Sequence, residues 1–333
     1  AALGSAGGNS DGGPGTPGGG AIRLLIDGRL AVHGRLSAEG AQRPPNNAGG
    51  GSGGSIHVTA GTLDGGGLIS VNGGPGEWVD GGGGSGGRIA LYYTRSTFTG
   101  RITAFGGGGH QAGGAGTIYL RPADAPRGTL LVANGGTWGN YTPLTTPEPF
   151  DLTLDQRAAV YGLGALTVHD LLINAESVLT HLPGQPRCEV RALNRIKVLA
   201  GGAIDVDGHG YPAGDDRGPG AGTRVDWGGS GAGHAGYGGR SATGSPGGEV
   251  YGSITEPITA KLSEDGMPRR FTRFCSTCNS TAPSKANPAP PPMLLAMVLP
   301  RRVTAVYTNV HSQSKKPPNK NGPSASGSNS TSV

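Results

Sequence analysis

Apolar residues recur along this chain as short alternating runs bounded by glycine. One run has a fixed form: Gly, any residue, Leu or Ile, any residue, Ala or Val, any residue, Gly. It stands at Gly34 to Gly40, Gly67 to Gly73 and Gly100 to Gly106, with a spacing of 33 residues both times. A later copy runs from Gly202 to Gly208, a variant from Gly164 to Asp170, and a longer version from Gly128 to Gly135. Pairs such as Leu36 with Ala38, or Ile69 with Val71, put small apolar side chains on one face of a strand. A second kind of run follows each glycine tract directly: Ile22 to Ile26, Ile56 to Val58, Ile89 to Tyr93 and Ile118 to Leu120. The predicted unit is strand, short turn, strand, glycine segment.

Helical periodicity is weak. No segment longer than about 12 residues combines a 3.6-residue period with caps. Arg191 to Leu199 comes nearest, but its β-branched neighbours and the following Gly201-Gly202 favour a strand.

One such unit cannot bury its apolar face alone, whereas stacked copies give every strand a neighbour and build a continuous core. The pattern therefore predicts an all-β chain, a parallel β-helix-like solenoid with long glycine-rich loops and a disordered C-terminal tail. Glycine closes tight corners and lets neighbouring backbones approach where successive units stack.

The expected organisation has four parts. Residues 1–135 carry the glycine-rich repeats, and residues 1–20 read as the glycine segment of an earlier unit, so the chain reads as a fragment. Residues 136–165, with Pro143, Pro147 and Pro149, read as a connector or insertion. Residues 166–254 resume the strand pattern at Leu171 to Ile173, Val178-Leu179 and Ile196 to Val198. A long loop follows from Gly208 to Gly248, and the part closes on Val250 to Ile254. Residues 255–333 read as a basic, Pro/Ser-rich disordered tail.

Composition supports the pattern. Of 333 residues, 67 are glycine and only 5% are aromatic, too few large side chains for a conventional core. The net charge of +5 divides unevenly: residues 261–333 hold ten Lys/Arg and two acids, and the rest hold 17 and 20. The body thus lacks the basic footprint of a nucleic-acid binder. Glycine also falls to three residues after position 260. The tail reads as a basic linker or as a frame-shifted reading, the second being preferred. Three cysteines make no disulfide framework. The apolar run Met293 to Leu299 is too short to span a membrane.

The tracts around residues 50–56, 81–93 and 113–120, each glycine-rich and ending in a β-branched strand start, resemble glycine-rich β-helix-type repeats of large predicted surface or secreted proteins. The resemblance covers roughly residues 5–254. It implies a parallel β-helix-like fold and an extracellular or cell-surface place, and it carries over no catalytic residue.

Candidate chemistry is sparse. Gly-x-Gly-x-x-Gly matches arise by chance in such tracts and lack the following helix of a nucleotide site. Asp11, Asp80, Asp215, Asp216 and Asp226 sit in or beside glycine segments, but without the nine-residue register of a calcium β-roll. Eight histidines form no His-x-His or His-Glu-x-x-His pair. His57, between Ile56 and Val58, is expected to face solvent. Cys275 and Cys278 have zinc-knuckle spacing without a second pair. Asp205 and Asp207, two apart on an expected strand, are the candidate carboxylate pair of a glycan-cleaving β-helix. Their simpler reading is a solvated face opposite Ile204 and Val206. Trp78, Trp138, Trp227 and Tyr237 are candidate sugar-stacking aromatics or loop anchors. Asn140, Asn279 and Asn329 begin glycosylation sequons. An ice-binding surface would need regular Thr arrays, which are absent.

The sequence thus predicts a non-enzymatic structural or adhesive segment of a larger surface protein, with glycans or surface proteins as partners. No catalytic, cofactor-binding or metal-binding residue is assigned, and no membrane segment is expected. The alternative is a glycan-binding or glycan-cleaving β-helix protein.

Overall fold

The computed structural model describes residues 2–42, 47–145, 148–182, 185, 187–213 and 218–257. The expected disordered tail lies outside the described residues from position 258 onward, as do Cys275, Cys278, Asn279 and Asn329. Among the described residues every regular element is a strand, and the sheets are mostly parallel.

The first seven strands are β1 (Ala21–Ala31), β2 (Arg35–Ser37), β3 (Ser55–Asp64), β4 (Leu68–Ser70), β5 (Arg88–Ser96), β6 (Arg101–Thr103) and β7 (Thr117–Pro122). They go alternately to two sheets. The long strands pair in parallel in the order β1-β3-β5-β7, and the short ones in the order β2-β4-β6. Leu36 pairs with Ile69 and Ile69 with Ile102, so the 33-residue sequence spacing is the register offset between short strands. Ile56, Val58, Ile89 and Leu91 of the long strands pack with Ile69 and Val71 in one core, each at most 1% exposed. Each such side chain contributes on the order of 1.5–3 kcal/mol by leaving water.

The glycine tracts between these strands are not loose loops. They run as extended segments hydrogen-bonded to one another. Gly50 and Gly53 donate to the carbonyls of Gly82 and Ser85, and Gly83 and Gly86 donate to those of Gln111 and Gly114. Gly73 and Gly76 donate likewise to Phe105 and Gly108. Donors recur every third residue, the period of a three-residue-per-turn extended helix. Cross-links such as Gly87 to Val71 and Gly107 to Gly84 tie outgoing segments to returning ones. Residues 4–19 join this array, with Gly4 donating to Gly19 and Gly19 to Ser52.

Glycine is required here by close approach. A Cβ on Gly54 would stand 1.9 Å from the Gly20 carbonyl oxygen, one on Gly87 2.0 Å from that of Gly54, and one on Gly116 2.0 Å from that of Gly87. Gly20, which begins this column, has open space at the same point.

The chain then reverses. β7 ends in Pro122, which cannot donate to a further ladder bond, and Ala125 N–H turns back to the Pro122 carbonyl. The next strand, β8 (Thr129–Ala133), lies antiparallel to β7. From there the strands are β9 (Thr142–Leu144), β10 (Asp151–Asp155), β11 (Ala159–Gly162), β12 (Leu166–Ile173), β13 (Val178–Thr180), β14 (Val190–Val198) and β15 (Ala203–Ile204). The long sheet continues in parallel as β8-β10-β12-β14, and a separate four-stranded sheet runs β9-β11-β13-β15. The offsets are shorter: Leu152 pairs with Leu171, and Val160 with Leu179, 19 residues apart in both cases.

Several expectations are corrected. Residues 136–165 are not a connector, because β9, β10 and β11 lie there inside both sheets. Pro143 is accommodated within β9, which occupies the edge of its four-stranded sheet. The variant and longer copies, 164–170 and 128–135, supply long-sheet strands β12 and β8 rather than short-sheet ones. Arg191 to Leu199 forms a strand, as the sequence favours. Val250 to Ile254 does not, and Ile254 is fully exposed. The expected loop 208–248 holds β16 (Arg224–Val225), antiparallel to β17 (Gly228–Gly229), and further glycine contacts, with Gly233 donating to Gly220 and Gly238 to Gly248.

Candidate functional site

Three places on the described surface bring chemistry together. The first is on β10 and β12. Parallel pairing of Leu152 with Leu171 sets Asp151 beside Asp170. The register against β14 is irregular between Val168 and Asp170, and both His169 and Asp170 turn toward Asp151. His169 Nδ1 lies 3.2 Å from Asp151 Oδ1 and 3.9 Å from Asp170 Oδ1. The Asp151 and His169 atoms are shut off from solvent without a well-formed hydrogen bond. One imidazole and two carboxylates within 4.8 Å are a donor set that suits a divalent cation. Asp170, however, is already engaged: Asn194 Nδ2 donates to it at 2.7 Å and Arg195 Nη2 lies 3.6 Å away. The arrangement therefore also stands as a self-contained ion-pair network between three adjacent strands.

The second place is an open groove of about 480 Å³ where the glycine array meets the short sheet of the second half. Gly82, Gly83, Ser85, Gln111, Asn140, Tyr141 and Tyr161 contribute to its walls. The Tyr141 and Tyr161 rings meet edge to face, 6.3 Å between centroids.

The third is an aromatic row on the long sheet, His57 on β3, Tyr92 on β5 and Tyr119 on β7, with successive centroids 5.4 and 5.9 Å apart. Tyr119 donates its hydroxyl to Glu148 at 3.3 Å. Partial burial, then the nearby Glu148 carboxylate, pushes the Tyr119 phenol above its ordinary range. His57 is not simply solvated as its neighbours suggest, since it stacks on Tyr92 and its Nδ1 is buried.

The sequence candidates fare unevenly. Asp205 and Asp207 do not share a strand face, because β15 stops at Ile204. Asp205 Oδ1 instead accepts the Asp207 backbone N–H and forms a local turn. Ile204 and Val206 are about 40% exposed because the sheet ends there. Asp11, Asp80 and Asp226 join no ligand group among the described residues, and Asp215 and Asp216 lie outside them. Trp78, Trp138, Trp227 and Tyr237 are all more than half exposed and share no ring contact with one another. Of these, Trp138 has the Arg157 guanidinium 6.0 Å from its ring. Asn140 is exposed, but its sequon partner Thr142 is buried and donates its hydroxyl to the Ala115 carbonyl. Cys188 is a free thiol, raised above its ordinary range by burial. The Asp151–His169–Asp170 cluster escaped sequence reasoning because its members are 18 residues apart, and the short strand offset that joins them leaves no motif. No helix among the described residues is long and apolar enough to cross a membrane.

Compared with known proteins, the chain matches no family model, no curated protein and no solved structure.

Proposed function

We propose that this chain is a β-solenoid segment of an extracellular or cell-surface protein, acting as a structural or adhesive scaffold without catalysis. What carries the reading is the assignment of its backbone polar groups. Strand pairs and glycine segments repeat with one offset, and each repeat hydrogen-bonds to the next. A chain built this way stacks repeats along one axis and displays a broad sheet face for contact with surface proteins or glycans. The extracellular assignment rests on the resemblance of the glycine tracts to those of surface repeats.

The enzymatic alternative, glycan cleavage, needs two carboxylates across a sugar-sized gap. Among the described residues the expected pair, Asp205 and Asp207, is a local turn. The test is to coat beads with the full chain and score adhesion to glycan- and protein-coated surfaces, with reducing ends measured in the same wells. Adhesion without product is expected. Sustained product release that disappears in Asp205→Asn or Asp151→Asn would overturn the reading.

A further inference from the structure

We infer that the groove between the glycine array and β9/β11 is a binding site for a neutral oligosaccharide, and that it binds without cleaving. Four features of the groove support this.

Its size comes first: about 480 Å³ accommodates a few sugar rings. Its charge comes second. The lining residues include no Asp, Glu, Lys, Arg or His, so nothing there rewards a charged ligand. Its side chains come third. Tyr141 and Tyr161 offer two aromatic surfaces at a steep angle, 75° between planes, the apolar faces on which the C–H side of a sugar ring packs. Around them, the Gln111 carboxamide and the hydroxyls of Ser85, Tyr141 and Tyr161 have no hydrogen-bond partner among the described residues. Asn140 uses only its Oδ1, toward the Tyr141 N–H. Paired donors and acceptors on carboxamides and hydroxyls match the dual character of sugar hydroxyls.

The backbone comes fourth, and it argues against an extended peptide. Adding a strand needs free N–H and C=O groups. Here Gly83 N–H goes to Gln111, Gly84 N–H to Gly74, Gly113 N–H to Gly107 and Asn140 N–H to Ala112. The wall is thus read through side chains. Hydrolysis would require a carboxylic acid and a second carboxylate at the bound sugar, and the lining residues supply neither.

This site goes beyond the scaffold reading, which stands whether or not the groove is filled. To test it, the full chain is produced in a host that does not N-glycosylate, which leaves Asn140 bare. It is then titrated with cellohexaose, xylohexaose, mannohexaose and laminarihexaose by ligand-detected NMR, and reducing ends are followed in parallel. At least one of these sugars binds with Kd on the order of 1 mM or tighter. Tyr141→Ala and Tyr161→Ala each weaken it about tenfold or more, and Gln111→Ala, which disturbs no internal contact, weakens it several-fold. Trp227→Ala, an exposed aromatic outside the groove, leaves it unchanged, and no reducing ends appear. Binding of none of the four sugars, or binding that survives Tyr141→Ala and Gln111→Ala, overturns the site. Release of reducing ends overturns the claim of binding without cleavage. Because Gln111→Ala and Tyr141→Ala alter exposed side chains, a folding defect in Tyr161→Ala leaves the test decisive.

Discussion

Strands β1 to β7 follow one another at offsets of 29 to 34 residues, whereas β8 to β15 do so at 18 to 25. Both regions feed the same eight-stranded sheet, yet they fill their interiors by different means. In the first, each repeat carries a glycine segment, and backbone lies against backbone at distances that exclude any side chain. Its side-chain core is confined to the space between the two sheets. In the second, the glycine segments are gone and the interior is leucine-rich: Leu130, Leu152, Leu154, Leu166, Leu171 and Leu179. The comparison teaches that one sheet architecture can be held by hydrogen-bonded backbone packing or by apolar side chains, and that the two respond to different substitutions.

The junction is polar. Asn134, 2% exposed, accepts from Gly106 N–H and donates to the carbonyls of Gly113 and Thr137. Thr142 adds a bond to Ala115. The first region's free glycine groups are thus satisfied by side chains of the second.

The largest effect should come from adding one methyl where backbone meets backbone. Gly87→Ala is expected to destabilise by more than about 3 kcal/mol, because the obstructing atoms belong to the backbone of residues 53 and 54 and cannot swing away. Gly20→Ala in the same column should stay within about 0.5 kcal/mol of the parent. Urea melts of the pair check this, and equal effects would break the comparison. Next, Leu154→Ala should cost about 2–4 kcal/mol, since Leu154 is fully buried among the leucines. Hydrogen exchange should show the loss first in β8 to β13. Asn134→Ala should cost about 1–3 kcal/mol by leaving Gly106 N–H and Gly113 C=O unpaired, with the Gly106 amide exchanging faster.

The smallest effect concerns a corner of the second region. Gln156, Arg157 and Glu176 hold left-handed backbone, and Arg157 bonds Glu176 at 3.1 Å. Hydrogen bonding from Arg157, then its charge, lowers the Glu176 carboxyl below its ordinary range. A lowered folded-state value gives stability that is present above the unfolded carboxylate range and lost as pH falls through the folded value. The melting temperatures of the parent and Glu176→Gln should therefore differ slightly at neutral pH and converge in acid. Both side chains are substantially exposed, and salt should shrink the difference.

Much of this was legible from residues alone. The 33-residue period is the true register offset, since Leu36, Ile69 and Ile102 pair in line. Alternation located the strands because a sheet with one buried face imposes a two-residue period. The reversal at Pro122 was missed, although Pro122 and Pro126 mark it, because the run 128–135 mimics the repeat. The strands within 136–165 were missed because prolines are tolerated at a sheet edge. The groove was out of reach, since its walls come from residues 82–85, 111–114, 140–141 and 161.

The sequence by itself determined the strand-and-glycine unit, its period and the small inward side chains, all of which are local consequences of backbone sterics and alternation. Only the tertiary structure decided which glycines are indispensable. Gly34, Gly67 and Gly100 open the same phrase, yet a Cβ is obstructed at Gly67 by the Gly34 carbonyl and at Gly100 by that of Gly67, while Gly34 faces open space. The requirement belongs to the neighbouring strand's backbone, which no single repeat contains.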